Sequence, residues 1–125
     1  MAAKIKKSRR SQILNMYLID TDILIWVLRG NKKYEDILQN LKYKDSLSIS
    51  TVTIAEIYKN IYPSEMVKTE NVIYELETWD VTTLIAKQAG LYWQQYIRQL
   101  KNLSLTDCLI AGTANVNNLV LVSLN

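Results

Sequence analysis

The chain has 125 residues, 49% of them hydrophobic, with one cysteine, no histidine and a formal net charge of +3. That length suggests a single domain with enough apolar side chains for a core. The absence of histidine excludes Ser-His-Asp and Cys-His triads, histidine general bases and His-ligated zinc.

Catalytic chemistry in this chain must therefore come from Asp, Glu, Lys, Ser, Thr or Tyr. Carboxylates and hydroxyls select hard cations such as magnesium or manganese. The lone Cys108 excludes an intrachain disulfide and fits a reducing cytoplasm. It lies in an apolar helical pattern and reads as a small core side chain rather than a nucleophile. No apolar run reaches the roughly 20 residues of a membrane span. Nor does an apolar h-region of a signal peptide follow the basic N-terminus.

Residues 1–15 read as a flexible basic leader, with Lys4, Lys6, Lys7, Arg9 and Arg10 among its first ten positions. It is either an arm able to touch nucleic acid phosphates or simply residues upstream of a domain that starts at Met16. The remainder holds ten basic and twelve acidic residues, so the body is mildly acidic.

The body opens with an apolar run over 16–20, predicted as a short buried strand. It stops at Asp20-Thr21-Asp22. A strand that ends in charge delivers that charge to a sheet edge, where ligands bind in open α/β sheets. Two carboxylates about 5 Å apart at an effective dielectric near 20 repel by roughly 3 kcal/mol, which a cation between them would offset. The same residues equally suit a helix N-cap. A helix over 22–29 follows, stopped by Gly30-Asn31. A second is predicted near 33–43, with Tyr34, Ile37, Leu38 and Leu41 at helical spacing.

Leu47–Ser50 alternates and predicts a strand. Thr51 or Thr53 then caps a helix running to about 61, and Pro63 starts another running to about 77. Residues 78–82 predict a short strand. A long helix is expected over 83–100, with Leu84, Ile85, Ala89, Tyr92, Trp93, Tyr96 and Leu100 along one side. That aromatic side reads as core or interface rather than as a base-stacking platform. Ser104 opens the last helix, with Asp107 in its first turn. Residues 119–124 predict a final buried strand. Strands separated by pairs of helices argue a parallel sheet with helices on its faces.

In such a sheet Asp20, Glu56, Asp107 and Asn125 can converge at one edge. Each has a plainer reading. Asp20 and Asp22 read equally as caps, and Asp107 as a helix-dipole charge. Glu56 points roughly 160–200° from the apolar stripe of Ile54, Ile57, Tyr58 and Ile61, so periodicity places it in solvent. Lys32, Lys33, Lys42 and Lys44 read as a solvated face, and Arg29 is a weaker candidate for a phosphate contact.

Four segments in order resemble the PIN-domain nucleases, especially the VapC-type toxins of toxin–antitoxin pairs. They are YLIDTDILIWVLRG (17–30), SISTVTIAEIYKNI (48–61), LSLTDCLIAGTA (103–114) and LVLVSLN (119–125). The resemblance implies a three-layer α/β/α sandwich over 16–125 with a mostly parallel central sheet of four or more strands, and a C-terminal end shorter than the family's usual tail. It implies Asp20, Glu56 and Asp107 as catalytic acids and metal ligands, with Asn125 at the fourth position. Asp22 becomes a helper near the metal, and Thr21 and Thr53 become hydroxyls that orient the site. Further implications are magnesium or manganese as cofactor, RNA as substrate, an antitoxin that blocks the acidic pocket, and a homodimer using Trp26, Tyr34 or Tyr58.

Three other readings compete. A catalytically inactive PIN fold would act as a binding module. A receiver-like signalling domain would need Asp80 as phosphoacceptor and a late lysine, but no lysine follows Lys101. The DxDxT motif of haloacid-dehalogenase-like phosphatases fails because Leu24 stands at its fifth position.

Overall fold

The computed structural model describes residues 15–124; Asn125 and most of the basic leader lie outside the described residues. Strand β1 (Met16–Ile19) is followed by α1 (Thr21–Leu28) and α2 (Lys32–Lys44). Next come β2 (Ser46–Ser50), α3 (Thr51–Asn60), a 3-10 turn (Pro63–Glu65) and α4 (Met66–Tyr74). The chain ends with β3 (Glu77–Trp79), α5 (Thr83–Tyr96), α6 (Leu105–Val116) and β4 (Val120–Val122). The sheet has the order β3-β2-β1-β4, and every pairing is parallel.

This order places the site before any side chain is considered. The chain builds β1, β2 and β3 outward in one direction, then returns to lay β4 on the other side of β1. The crevice beyond the C-terminal ends of β1 and β4 is the point where strand order reverses, which is where open α/β sheets bind ligands. The backbone N–H of Asp20 donates to the Val122 carbonyl at 2.9 Å, tying the two strand ends together.

Alternation along β1 sends neighbouring residues to opposite faces. Ile19 joins Ile23, Leu24, Leu38, Leu47, Ile49 and Ile57 on one side. Leu18 packs with Ile110 and Ala114 on the other, where Val52, Trp79 and Leu119 close over them. A sheet covered on both faces explains why β1 reads as a continuous apolar run.

Two helix ends use left-handed residues. Gly30 (φ 80°) follows α1, with Asn31 N–H donating to Trp26 O at 3.0 Å. Asn118 (φ 57°) follows α6, with Leu119 N–H donating to Ala114 O at 2.8 Å. Both are Schellman closures, made by glycine and asparagine, the residues that best tolerate that conformation.

Several expectations need correction. The last strand is not buried: it is three residues long and forms a sheet edge, with Val120 and Leu121 exposed. Pro63 opens a 3-10 turn rather than the α-helix itself, and α4 ends at Tyr74. Ser50, not Thr51 or Thr53, caps α3. Helix α5 stops at Tyr96, and its expected apolar side is split. Ile85 and Ala89 are buried, whereas Leu84, Trp93, Tyr96 and Leu100 are exposed. Among the described residues, no helix is long and apolar enough to cross a membrane.

Candidate active site

Asp20 occupies the single extended residue between β1 and α1. Its Oδ1 accepts from Thr21 N–H at 2.8 Å, a short-range N-cap. Burial pushes the Asp20 carboxyl above its ordinary range, and the Thr21 N–H bond pulls it back down. The charges of Asp22, Asp107 and Glu56 then raise it further. Acids from three separate helices thus bear electrostatically on this one carboxylate.

Glu56 corrects the reading from periodicity. It is half-buried, and its Oε1 accepts from Thr21 Oγ1 at 2.6 Å. Thr21 Oγ1 also lies 3.0 Å from Thr53 Oγ1. A hydroxyl carries one proton. An ionised carboxylate can only accept, and its bond is the shorter, so the Thr21 proton goes chiefly to Glu56 and Thr53 is the weaker acceptor of the same hydroxyl. Both threonines are buried. The apolar stripe misled because the most buried face of α3 is centred between Thr53 and Ile57, not on Ile54 and Tyr58. At about 100° per residue, Glu56 lies about 80° from that centre, on the shoulder of the buried face.

Asp107 is held differently. It forms a capping box with Ser104 at the start of α6. Asp107 N–H donates to Ser104 Oγ at 3.1 Å, and Ser104 N–H donates to Asp107 Oδ2 at 3.4 Å. The side chain is exposed. Asp22 is likewise exposed, in the first turn of α1. Asn125 lies outside the described residues. Buried Cys108 has its thiol pushed up by burial and then by the Asp107 charge, so it is a poor nucleophile. Arg29 caps the opposite end of α1, a full helix length from Asp20.

The donor set suits a hard divalent ion in charge and chemistry. It is all oxygen. One oxygen of each acid takes the bond described: Asp20 Oδ1, Glu56 Oε1 and Asp107 Oδ2. Burial does most to raise Asp20, and the charges of Asp22, Asp107 and Glu56 add to it; a cation would relieve both penalties. As the side chains stand, no group of three acidic or cysteine residues among those described is already arranged to hold an ion. Asp107, exposed and held by a long bond, is the member freest to rotate inward.

Residues 17–125 match the family model of the PIN domain. The chain is 34% identical over 110 residues to Ribonuclease VapC10 of Mycobacterium tuberculosis H37Rv, spanning 88% of this chain and 83% of that protein. Its fold superposes with a TM-score of 0.74 on VapBC2 from Rickettsia felis, solved bound to a promoter DNA fragment. That match has 22% identity and covers 88% of this chain and 87% of the other. Against the DNA-bound VapBC of Salmonella typhimurium the TM-score is 0.71 at 26% identity, covering 86% and 85%.

Proposed function

This chain belongs to the PIN-domain family, and we propose that it is a magnesium- or manganese-dependent endoribonuclease acting as the toxin of a toxin–antitoxin pair. The observation that carries the reading is the placement of Asp20 at the end of β1, where strand order reverses, with Glu56 tied to the neighbouring Thr21 hydroxyl at 2.6 Å. The ribonuclease named among its relatives and the toxin–antitoxin complexes among its structural neighbours support it.

In this reading Asp20, Asp107 and Glu56 hold the ion, with Asp22 and Asn125 lending charge or a polar ligand at its margin. A divalent ion bound there lowers the pKa of a water and neutralises charge developing on the phosphoryl oxygens. Thr21 fixes one oxygen of Glu56 and leaves the other to accept a proton from the attacking water. Asp20, pinned by its N-cap bond at the end of β1, would use its second oxygen for the ion. The acidic cluster repels RNA phosphates until the cation is present, so substrate and metal bind cooperatively.

The antitoxin covers this acidic edge, and the complex resides in the cytoplasm. A homodimer is expected to use Trp26, which is exposed and stacked on Tyr34 with ring centroids 6.4 Å apart. Tyr58 is half-buried and contributes less than its sequence position suggests. A receiver-like reading meets a structural obstacle. Asp80 follows β3, which is separated from β1 by β2, whereas the receiver topology sets its third strand beside the first.

The test is cleavage of labelled structured RNA with manganese, with EDTA, and by Asp20→Asn. Cleavage that requires metal and disappears in the variant supports the nuclease. A folded protein that cuts no RNA with either ion is instead a binding module.

A further inference from the structure

Beside Asp107, an open cavity of about 280 Å³ lies between α5 and α6. Tyr92, Tyr96, Leu100, Leu103 and Cys108 line it, and Asp107 stands at its wall. The two tyrosines are one turn apart on α5, their ring centroids 6.5 Å apart and their planes tilted by 56°. They do not stack on each other, so ring surface is left free for a third group. Tyr96 is 40% and Leu100 55% exposed, an apolar surface left in water directly beside a carboxylate of the candidate site.

The chemistry of the lining selects its occupant. Among the described residues, Asp107 is the only charged one lining the cavity, and no lysine or arginine accompanies it. A phosphate is repelled there, while an uncharged planar ring is not. The volume sits just below the roughly 300–1,000 Å³ of pockets for drug-sized molecules, which suits one ring system rather than a helix or an extended peptide. A second copy of this chain closing over the cavity would strip water from the Asp107 carboxylate, and the lining offers no cation to replace it.

We infer that this cavity is a base-binding subsite, which takes the base of a nucleotide next to the scissile phosphate and stacks it on Tyr96 and Tyr92. The inference rests on the endoribonuclease reading and deepens it. Stacking on aromatic side chains tolerates any base, because every base has a π-face. The subsite therefore positions the single strand at Asp107 and narrows cleavage to nucleotides whose base can be turned out of a helix.

The experiment pairs protein and substrate changes. Cleavage kinetics are measured for wild type, Tyr96→Ala, Tyr96→Trp and Leu100→Ala on a single-site RNA and on copies made abasic at each position flanking the cut. Tyr96→Ala is expected to raise KM about tenfold to hundredfold, and Tyr96→Trp to restore it. One abasic position should weaken wild type by a similar factor and have no further effect on Tyr96→Ala. Leu100→Ala, at an exposed edge, should show a smaller effect in the same direction and keeps the test open if Tyr96→Ala fails to fold. Binding of the same RNAs to Asp20→Asn and Asp20→Asn/Tyr96→Ala separates the two readings. Discrimination against one abasic RNA that Tyr96 controls, without any cleavage by wild type, upholds the subsite and sinks the nuclease. Normal cleavage with unchanged KM and unchanged abasic discrimination in both cavity variants overturns the subsite alone. A variant that alters the sedimenting mass while leaving KM unchanged also overturns it, assigning the cavity to contact between copies.

Discussion

The two halves of the candidate site are built in opposite ways. On the β1 side, Glu56 is locked by Thr21 and Thr53 through buried hydroxyls that join residues 32 and 35 positions apart. On the α6 side, Asp107 is held by a capping box confined to Ser104–Asp107, exposed to solvent. The first half is rigid, because loosening Glu56 means breaking a buried network that costs more than its pairwise parts suggest. The second can move at the cost of one long hydrogen bond. In the proposed reaction, which needs both an ion and a phosphodiester, one fixed wall and one adjustable wall would be an advantage.

The largest expected effect comes from removing the residue that both walls surround. Loss of an outer-shell partner typically costs about 10–100-fold in affinity or activity, so Asp20→Asn should cost more than about 100-fold in cleavage, read by gel assay. The same variant should raise the melting temperature of the metal-free protein. It removes a repelled, partly buried charge and keeps an equally good N-cap. A melting temperature that falls would show that Asp20 is not repelled by its neighbours.

The fixed wall is tested next. Thr21→Val keeps the shape and deletes the proton that Glu56 accepts. It should reduce activity about 10–100-fold and lower stability by about 1–2 kcal/mol, read by denaturant titration. For the adjustable wall, Ser104→Ala should cost about 1 kcal/mol but reduce cleavage less than Thr21→Val, since Asp107 must leave its cap to reach an ion. Equal losses of activity in the two variants would erase the distinction between the walls.

The smallest effect is a pH dependence. The Asp20 carboxyl lies above its ordinary value in the folded protein, so the folded state holds that proton more tightly than the unfolded chain does. The destabilisation from charged Asp20 is thus fully present above its folded pKa and fades as pH falls through it. In EDTA, the gap in melting temperature between Asp20→Asn and wild type should be largest near neutrality. It should close as the pH drops toward the ordinary aspartate range.

How legible each part was depends on the range of the interaction that made it. Asp20, Ser104 and Asp107 act through bonds spanning one to three residues, and the sequence shows them as caps. Gly30 stops α1 through a local closure that any glycine at that point announces. Glu56 was unreadable from its own helix because the residues defining the buried face of α3 include Thr53, a polar side chain with no exposed surface. Periodicity counts apolar residues and passes over a buried threonine. The α5 groove was misread for the complementary reason. Its apolar residues cover more of the helix than α6 can bury, and hydrophobicity does not say which side is left in water.

By itself, then, the sequence determined that a site here is built from carboxylates and hydroxyls, through the lack of histidine, and the order of strands and helices, through local period and caps. The four ordered motifs marked the family. Only the tertiary structure decided that β4 returns beside β1, because strand order depends on which apolar faces meet across the sheet. The same folding drew Glu56 in through Thr21 and left α5 uncovered beside Asp107. Those outcomes rest on contacts between residues tens of positions apart, whose partners no local pattern names.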